Sequence, residues 1–276
     1  MRLTSGFRDL MIASLLWGTI GIAVQLAYRD GGSSYGIVFY RSLFSAILSI
    51  FITDKSKLLT VKAVALGVIA GIFYEIYAFT IIYDGAPLSS FLLYTAPLFV
   101  SIFAFSLFGE KITVTKLLAS LLVVGSLYLS YLGTPSILQV LWGVASGASY
   151  AALISVSKYL QTKQVTDWDL VGAQSLWSLI PVGLAVPFFR EGLFSLGSIW
   201  GGAFLCIIGT ILPYYFFYRG VRVMDSTIAT IISALEPVFT TLLAYPILGQ
   251  YLTPPEILGA ILILVSSIWL GIDRRT

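Results

Sequence analysis

Ten apolar runs follow one another along the chain with only short polar breaks, at roughly 8–28, 34–53, 61–82, 86–108, 114–132, 138–160, 168–189, 199–219, 226–247 and 255–272. Runs of about 20 residues cross ~30 Å of hydrocarbon as helices. A bilayer otherwise admits only closed barrels, because every backbone polar group must be satisfied within the protein. The runs are continuous rather than alternating, which excludes a barrel. With 58% hydrophobic and 11% charged residues, ten spans use most of the 276 positions and leave no room for a soluble domain. The first run is also read as a span. It is too long for the apolar core of a cleaved signal, and Trp17-Gly18 sits inside it with no small-residue cleavage site after it.

The runs are not independent. Pro97-Leu98-Phe99 returns as Pro237-Val238-Phe239, Ala104 as Ala244, Gly109 as Gly249 and Thr113 as Thr253, all shifted by 140. Leu118, Leu122 and Ser126 then meet Leu258, Leu262 and Ser266, giving eight identities over thirty positions. An earlier block repeats at a spacing of 133, where Tyr40-Arg41-Ser42-Leu43-Phe44 faces Ala173-Gln174-Ser175-Leu176-Trp177. The difference falls in loops, where an insertion is cheap. The chain therefore divides into residues 1–134 and 135–276, five spans each. An odd number of spans makes the second copy run antiparallel to the first.

The charges point the same way. With the N-terminus in the cytoplasm, thirteen of the sixteen Lys and Arg fall on the cytoplasmic side. Only Arg29 and Arg190 fall outside, and Arg41 lies within a span. This is the positive-inside pattern, and ten spans return the C-terminus to the cytoplasm. The loop Gly109 to Thr113 carries Lys111, whereas its counterpart Gly249 to Thr253 carries no charge. The expected architecture is an all-α membrane protein of ten helices in two inverted-topology repeats. Transporters use that arrangement to open to opposite faces in turn.

Three formal charges lie deep within spans: Arg41, Glu75 and Glu236. Each costs ~2.5–3.5 kcal/mol at a helix centre on insertion scales unless a cavity or partner compensates. Counted inward, Arg41 and Glu75 reach a similar depth on neighbouring helices, so a structural salt bridge and direct substrate contact are both open for them. Glu236 lies near the midplane without an obvious basic partner, which favours substrate or proton binding. Pro97 and Pro237 fall inside the fourth helix of each half. Each withholds an N–H from the carbonyl four residues back, that of Leu93 or Ser233, and both are candidate hinges. Pro181, Pro213 and Pro246 are read as simple kinks. Trp17, Tyr40, Phe73, Tyr74, Tyr77, Tyr94, Tyr150, Trp177, Tyr214 and Tyr215 concentrate aromatic surface around these positions. Gly67-x-x-x-Gly71 and Gly143-x-x-x-Gly147 permit close helix approach. One cysteine, Cys206, allows no internal disulfide, and the absence of histidine removes the commonest metal ligand and catalytic base. No metal, cofactor or enzymatic activity is expected, and the charge distribution gives no reason to invoke nucleic acid.

Together, Trp17-Gly18, Tyr40-Arg41-Ser42, Ala96-Pro97-Leu98-Phe99 with Gly109-Glu110-Lys111-Ile112-Thr113, and Leu235-Glu236-Pro237-Val238-Phe239 resemble EamA-type members of the drug/metabolite transporter superfamily. The similarity covers essentially the whole chain. Gln250 departs from it, since the family often has Glu there. The resemblance implies a polytopic carrier of small organic metabolites, often amino acids or related compounds. It also implies alternating access around a central cavity lined by the first four helices of each repeat.

The resulting expectation is a secondary active transporter of an amino-acid-like metabolite in the cell membrane, by export or facilitated exchange. The proton is the candidate coupling ion, and the expected assembly is a monomer or weak homodimer. Its substrate-binding candidates are Trp17, Tyr40, Arg41, Tyr74, Glu75, Tyr94, Trp177, Tyr214 and Glu236. The rival is a multidrug or organic-cation exporter in which Glu75 and Glu236 supply negative charge. More distant is an integral membrane enzyme acting on lipids, for which the sequence offers no Asp-rich motif or His/Ser dyad.

Overall fold

The computed structural model describes residues 2–109, 111, 113–130 and 136–249, with isolated helical positions between 254 and 269. The last expected span, 255–272, therefore lies largely outside the described residues. So do Gln250 to Thr253, Glu110, Ile112, Arg274 and Arg275.

Helices account for the described elements. The first half contains α1 (Arg2–Trp17), α2 (Ile20–Arg29), α3 (Ser34–Ile52), the short α4 (Lys55–Leu58), α5 (Val61–Asp84), α6 (Ala86–Leu93), α7 (Ala96–Phe108) and α8 (Val114–Ser130). The second contains α9 (Ile137–Thr162), α10 (Asp167–Trp177), α11 (Leu179–Ala185), α12 (Leu196–Cys206), α13 (Leu212–Val223), α14 (Ser226–Ser233) and α15 (Glu236–Leu248). A π-helical turn, Ile207–Ile211, joins α12 to α13. Among the described residues seven continuous or briefly interrupted helical stretches are long and apolar enough to span a bilayer. The 17-residue α8 is slightly shorter, and α10 and α11 form a further stretch interrupted at Ser178.

Helix ends follow local chemistry. Ser33, Thr60, Ser136, Thr166, Ser195 and Asp225 each accept a bond from a backbone N–H of the turn they begin, satisfying donors that have no helical partner. Gly109 and Gly249, matched in the repeat, end α7 and α15 with φ of +64° and +70°. A Cβ at either would meet nothing within 4 Å, so glycine is there for backbone conformation rather than for space.

The helix pairing shows the repeat as a pseudo-two-fold. α1 packs on α13 as α5 packs on α9, and α3 packs on α12 as α10 packs on α5. α9 lies against α6 and α7 just as α1 and α2 lie against α14 and α15, while α3 meets its own counterpart α10. The crossings are close. A Cβ on Gly202 of α12 would lie 2.3 Å from the Tyr40 Cβ and 2.7 Å from the Arg41 backbone nitrogen. Overpacking costs typically ~1–3 kcal/mol. Gly202→Leu should therefore lower the thermal unfolding midpoint of the detergent-solubilised protein by several degrees, and a wild-type midpoint would refute so close a crossing.

Pro97 and Pro237 do more than kink their helices. α6 ends at Leu93 and α7 begins at Ala96, with Pro97 in its first turn; α14 ends at Ser233 and α15 begins at Glu236, with Pro237 in its first turn. The freed carbonyl of Ser233 accepts from the Ser14 hydroxyl at 3.4 Å. The Leu93 carbonyl lies against Gly147, 2.9 Å from where a Cβ would be.

Candidate functional site

Glu236 is the first residue of α15 because Pro237 restarts the helix there. A carboxylate at a helix N-terminus meets the positive end of the helix dipole. Its two oxygens accept separate bonds, Oε1 from the Tyr77 hydroxyl at 2.7 Å and Oε2 from the Tyr94 hydroxyl at 2.9 Å. Tyr94 caps the C-terminal end of α6, so the broken helix of one repeat donates directly to the broken helix of the other.

Arg41 on α3 is held from the opposite side. Its Nε donates to the Thr210 hydroxyl at 2.7 Å and its Nη2 to the Gly209 carbonyl at 2.9 Å. Both acceptors belong to the π-helical turn. Pro213, four residues beyond Gly209, has no N–H to return to that carbonyl, which leaves it for the guanidinium. The guanidinium carbon also lies 3.6 Å from the Tyr74 ring centroid, a cation–π contact.

Between these groups is a cavity of about 10 Å³, lined by Trp17, Ile20, Arg41, Phe73, Tyr77, Leu93, Tyr150, Tyr214 and Glu236. It has room for about one water. Its wall is aromatic: Trp17 and Tyr214 pack edge to face at 5.0 Å, and Phe73 stacks on Tyr150 at 5.1 Å. The Tyr150 hydroxyl is buried without a hydrogen-bond partner. Arg41 comes from the first repeat and Glu236 from the second.

One end of the bundle is sealed by charge. Arg219 pairs with Asp9 at 3.2 Å, Lys57 with Asp169 at 2.9 Å, and Lys116 with Asp225. All three pairs cross between the repeats. Arg222 pairs with Asp167 at 2.7 Å, and Lys158 donates to the Val221 and Met224 carbonyls at 2.5 and 2.9 Å. The bond to Asp169 raises the pKa of Lys57 above its ordinary value. The opposite end is joined by neutral donors instead, the Trp200 indole to Asp30 at 3.0 Å and the Ser33 amide to the Ser198 hydroxyl at 3.3 Å.

The sequence profile of the EamA-like transporter family matches residues 8–132 and 137–272, one copy on each repeat. The chain belongs to the EamA-like transporter family. It is 27% identical over 295 aligned residues to the uncharacterized inner membrane transporter YicL of Salmonella typhimurium (strain LT2), covering 98% of this chain and 96% of that one. It is 26% identical over 270 residues to an uncharacterized transporter of Archaeoglobus fulgidus, covering 95% and 94%. A crystal structure of a protein 18% identical in sequence superposes with a TM-score of 0.73, covering 98% of this chain and 96% of that one. At that identity the likeness speaks for the fold. This EamA-like transporter is thus a multi-pass membrane protein that acts in membrane transport.

Of the residues singled out in sequence, Trp17, Arg41, Tyr214 and Glu236 line the central cavity. Tyr94 holds Glu236, and Tyr74 lies beneath Arg41. The other three lie elsewhere. Tyr40 packs beside Phe39 and Phe44. Trp177 donates its indole N–H to the Leu58 carbonyl at 2.6 Å. Glu75 lines a separate groove with Ser34 and Tyr35.

The salt bridge considered for Arg41 and Glu75 is not made. Glu75 accepts from the hydroxyl of Ser34, seven residues before Arg41 on α3, a rise of ~10 Å. Counting inward from the helix ends put the two charges level; the packing of α5 against α3 does not. Phe73, Tyr77 and Tyr150 belong to the cavity although they stood out in sequence only as mid-span aromatics. Thr210 carried no signal of its own, and Pro213, read as a simple kink, marks the turn that receives Arg41.

Proposed function

We propose that this EamA-like transporter carries a small zwitterionic, amino-acid-like metabolite by alternating access, with Arg41 taking the carboxylate and Glu236 taking the amine or a coupling proton. One observation carries this reading. Two ionisable groups of opposite sign, one from each repeat, face the same buried aromatic cavity. A substrate entering between the halves would exchange its own carboxylate for Thr210 and Gly209 on Arg41, and its ammonium for Tyr77 or Tyr94 on Glu236. The unpartnered Tyr150 hydroxyl offers a further contact.

The cavity holds about one water in this conformation, which fits an occluded state that admits substrate only as the repeats part. The positive-inside pattern supports cytoplasmic termini and assigns the ion-paired end to the cytoplasm. Direction then follows the gradients, as export or facilitated exchange.

Purified protein in liposomes preloaded with a panel of amino acids should show saturable counterflow for at least one of them. Absence of counterflow for any zwitterion, together with flux of quaternary amines, would transfer the assignment to an organic-cation exporter. The rings around Glu236 and the satisfied state of Arg41 are what favour that second reading.

A further inference from the structure

Glu75 lies on α5 at a groove between α3, α5, α11 and the start of α9. The groove holds about 560 Å³, and its lining includes Tyr35, Phe79, Tyr83, Trp142 and Phe189, with Arg190 and Glu191 also on its wall. A hollow of about 230 Å³ adjoins it, sharing Tyr35, Glu75, Ile76 and Ala185. Glu75 thus lines both spaces, and the volume of the larger matches that of a small-molecule pocket.

The carboxylate lacks a counter-charge. Oε1 accepts one long bond from Ser34 at 3.5 Å, and Oε2 is buried without any hydrogen-bond partner. Among the described residues no cation of the chain pairs with it, although Arg190 lies on the same wall. Arg41 is held by the π-helical turn, and Arg190 is exposed and forms no ion pair among the described residues. Arg190 and Glu191 are adjacent and of opposite sign, so Glu75 sets the charge of the groove. A buried carboxylate in this setting calls for a cation from outside. A hard metal ion would want several converging oxygen ligands, and among the described residues no group of three or more His, Cys, Asp or Glu gathers to hold one. The groove offers rings instead: Phe79 lies 4.4 Å from Tyr83 and 5.4 Å from Trp142, centroid to centroid. Ring faces beside a carboxylate suit an ammonium carrying an apolar body.

We propose that this groove is a second binding site, separate from the Arg41–Glu236 cavity, for a soluble monovalent organic cation with an aromatic or aliphatic body. It does not depend on what the central cavity carries.

The test uses the full-length protein in phosphatidylglycerol nanodiscs, whose lipid carries no amine, and radiolabelled benzyltrimethylammonium as probe, with empty nanodiscs subtracted. Saturable binding to one site is expected. Glu75→Gln should weaken it at least tenfold, Trp142→Ala several-fold, and Glu236→Gln less than twofold. Trp142 is 46% exposed, so its truncation tests the groove even if Glu75→Gln fails to fold. Binding that survives both groove variants, or that is lost only in Glu236→Gln, overturns the proposal. Nanodiscs containing phosphatidylethanolamine should bind the probe equally well; loss of binding there would mean that a lipid amine fills the groove, and would overturn a soluble ligand.

Discussion

Arg41→Met should abolish saturable substrate flux and lower thermal stability at the same time. The guanidinium satisfies the Gly209 carbonyl and the Thr210 hydroxyl inside the bundle. Truncating one member of a buried charged hydrogen-bonded group typically costs ~3–5 kcal/mol, because its partners are left unpaired. Thr210 retains a bond to the Leu205 carbonyl at 2.9 Å, whereas Gly209 sits opposite a proline and would lose the donor it has. Arg41→Lys separates the two effects. An ammonium reaches one acceptor but cannot span both or lie flat on Tyr74. Part of the lost stability should return without the flux. Unfolding midpoints in detergent and counterflow in liposomes measure the two quantities. Wild-type KM and midpoint in Arg41→Met would remove this residue from the site.

Glu236→Gln should have the opposite profile, with flux lost and fold kept. The amide is nearly isosteric, its oxygen can accept from one tyrosine, and its NH₂ can donate to the hydroxyl oxygen of the other. What disappears is the charge. A hydrogen bond to a charged group contributes ~1.5–3 kcal/mol, so a substrate ammonium or coupling proton losing that partner should cost roughly 10- to 150-fold in affinity or rate. The unfolding midpoint should stay within about 2 °C, since the stability change is a fraction of that sum. Retained flux in Glu236→Gln would show that the carboxylate serves only to hold Tyr77 and Tyr94.

Much of the scaffold was legible from simple rules. Apolar run length located the spans because a bilayer imposes a minimum length. The Ser, Thr and Asp caps and the two matched glycines mark where helices begin and end. The repeat could be read because Pro97 and Pro237, and Gly109 and Gly249, perform the same backbone task in each half. Glu75 shows where such reading stops. Its depth could be counted, but the face of α5 it occupies and the tilt that sets it beside Ser34 depend on how α3 and α5 pack. Pro213 shows a second limit. Its position in the repeat is filled by Phe73 in the first half, and α5 continues unbroken where α12 and α13 are joined by a π-helical turn. A proline announces a missing donor, but only the fold shows which side chain takes the freed carbonyl.

The bond between Arg41 and Gly209 also bears on ancestry. Gln174, the counterpart of Arg41, is bonded to Tyr74 and Tyr218 instead. Two identical five-helix chains assembled antiparallel would have carried arginine at both places or glutamine at both, and proline opposite both acceptors or neither. The observed pair of unlike solutions requires the two halves to be encoded by separate sequences. The charge asymmetry at the centre of this carrier could therefore arise only once its two halves were encoded by separate sequences.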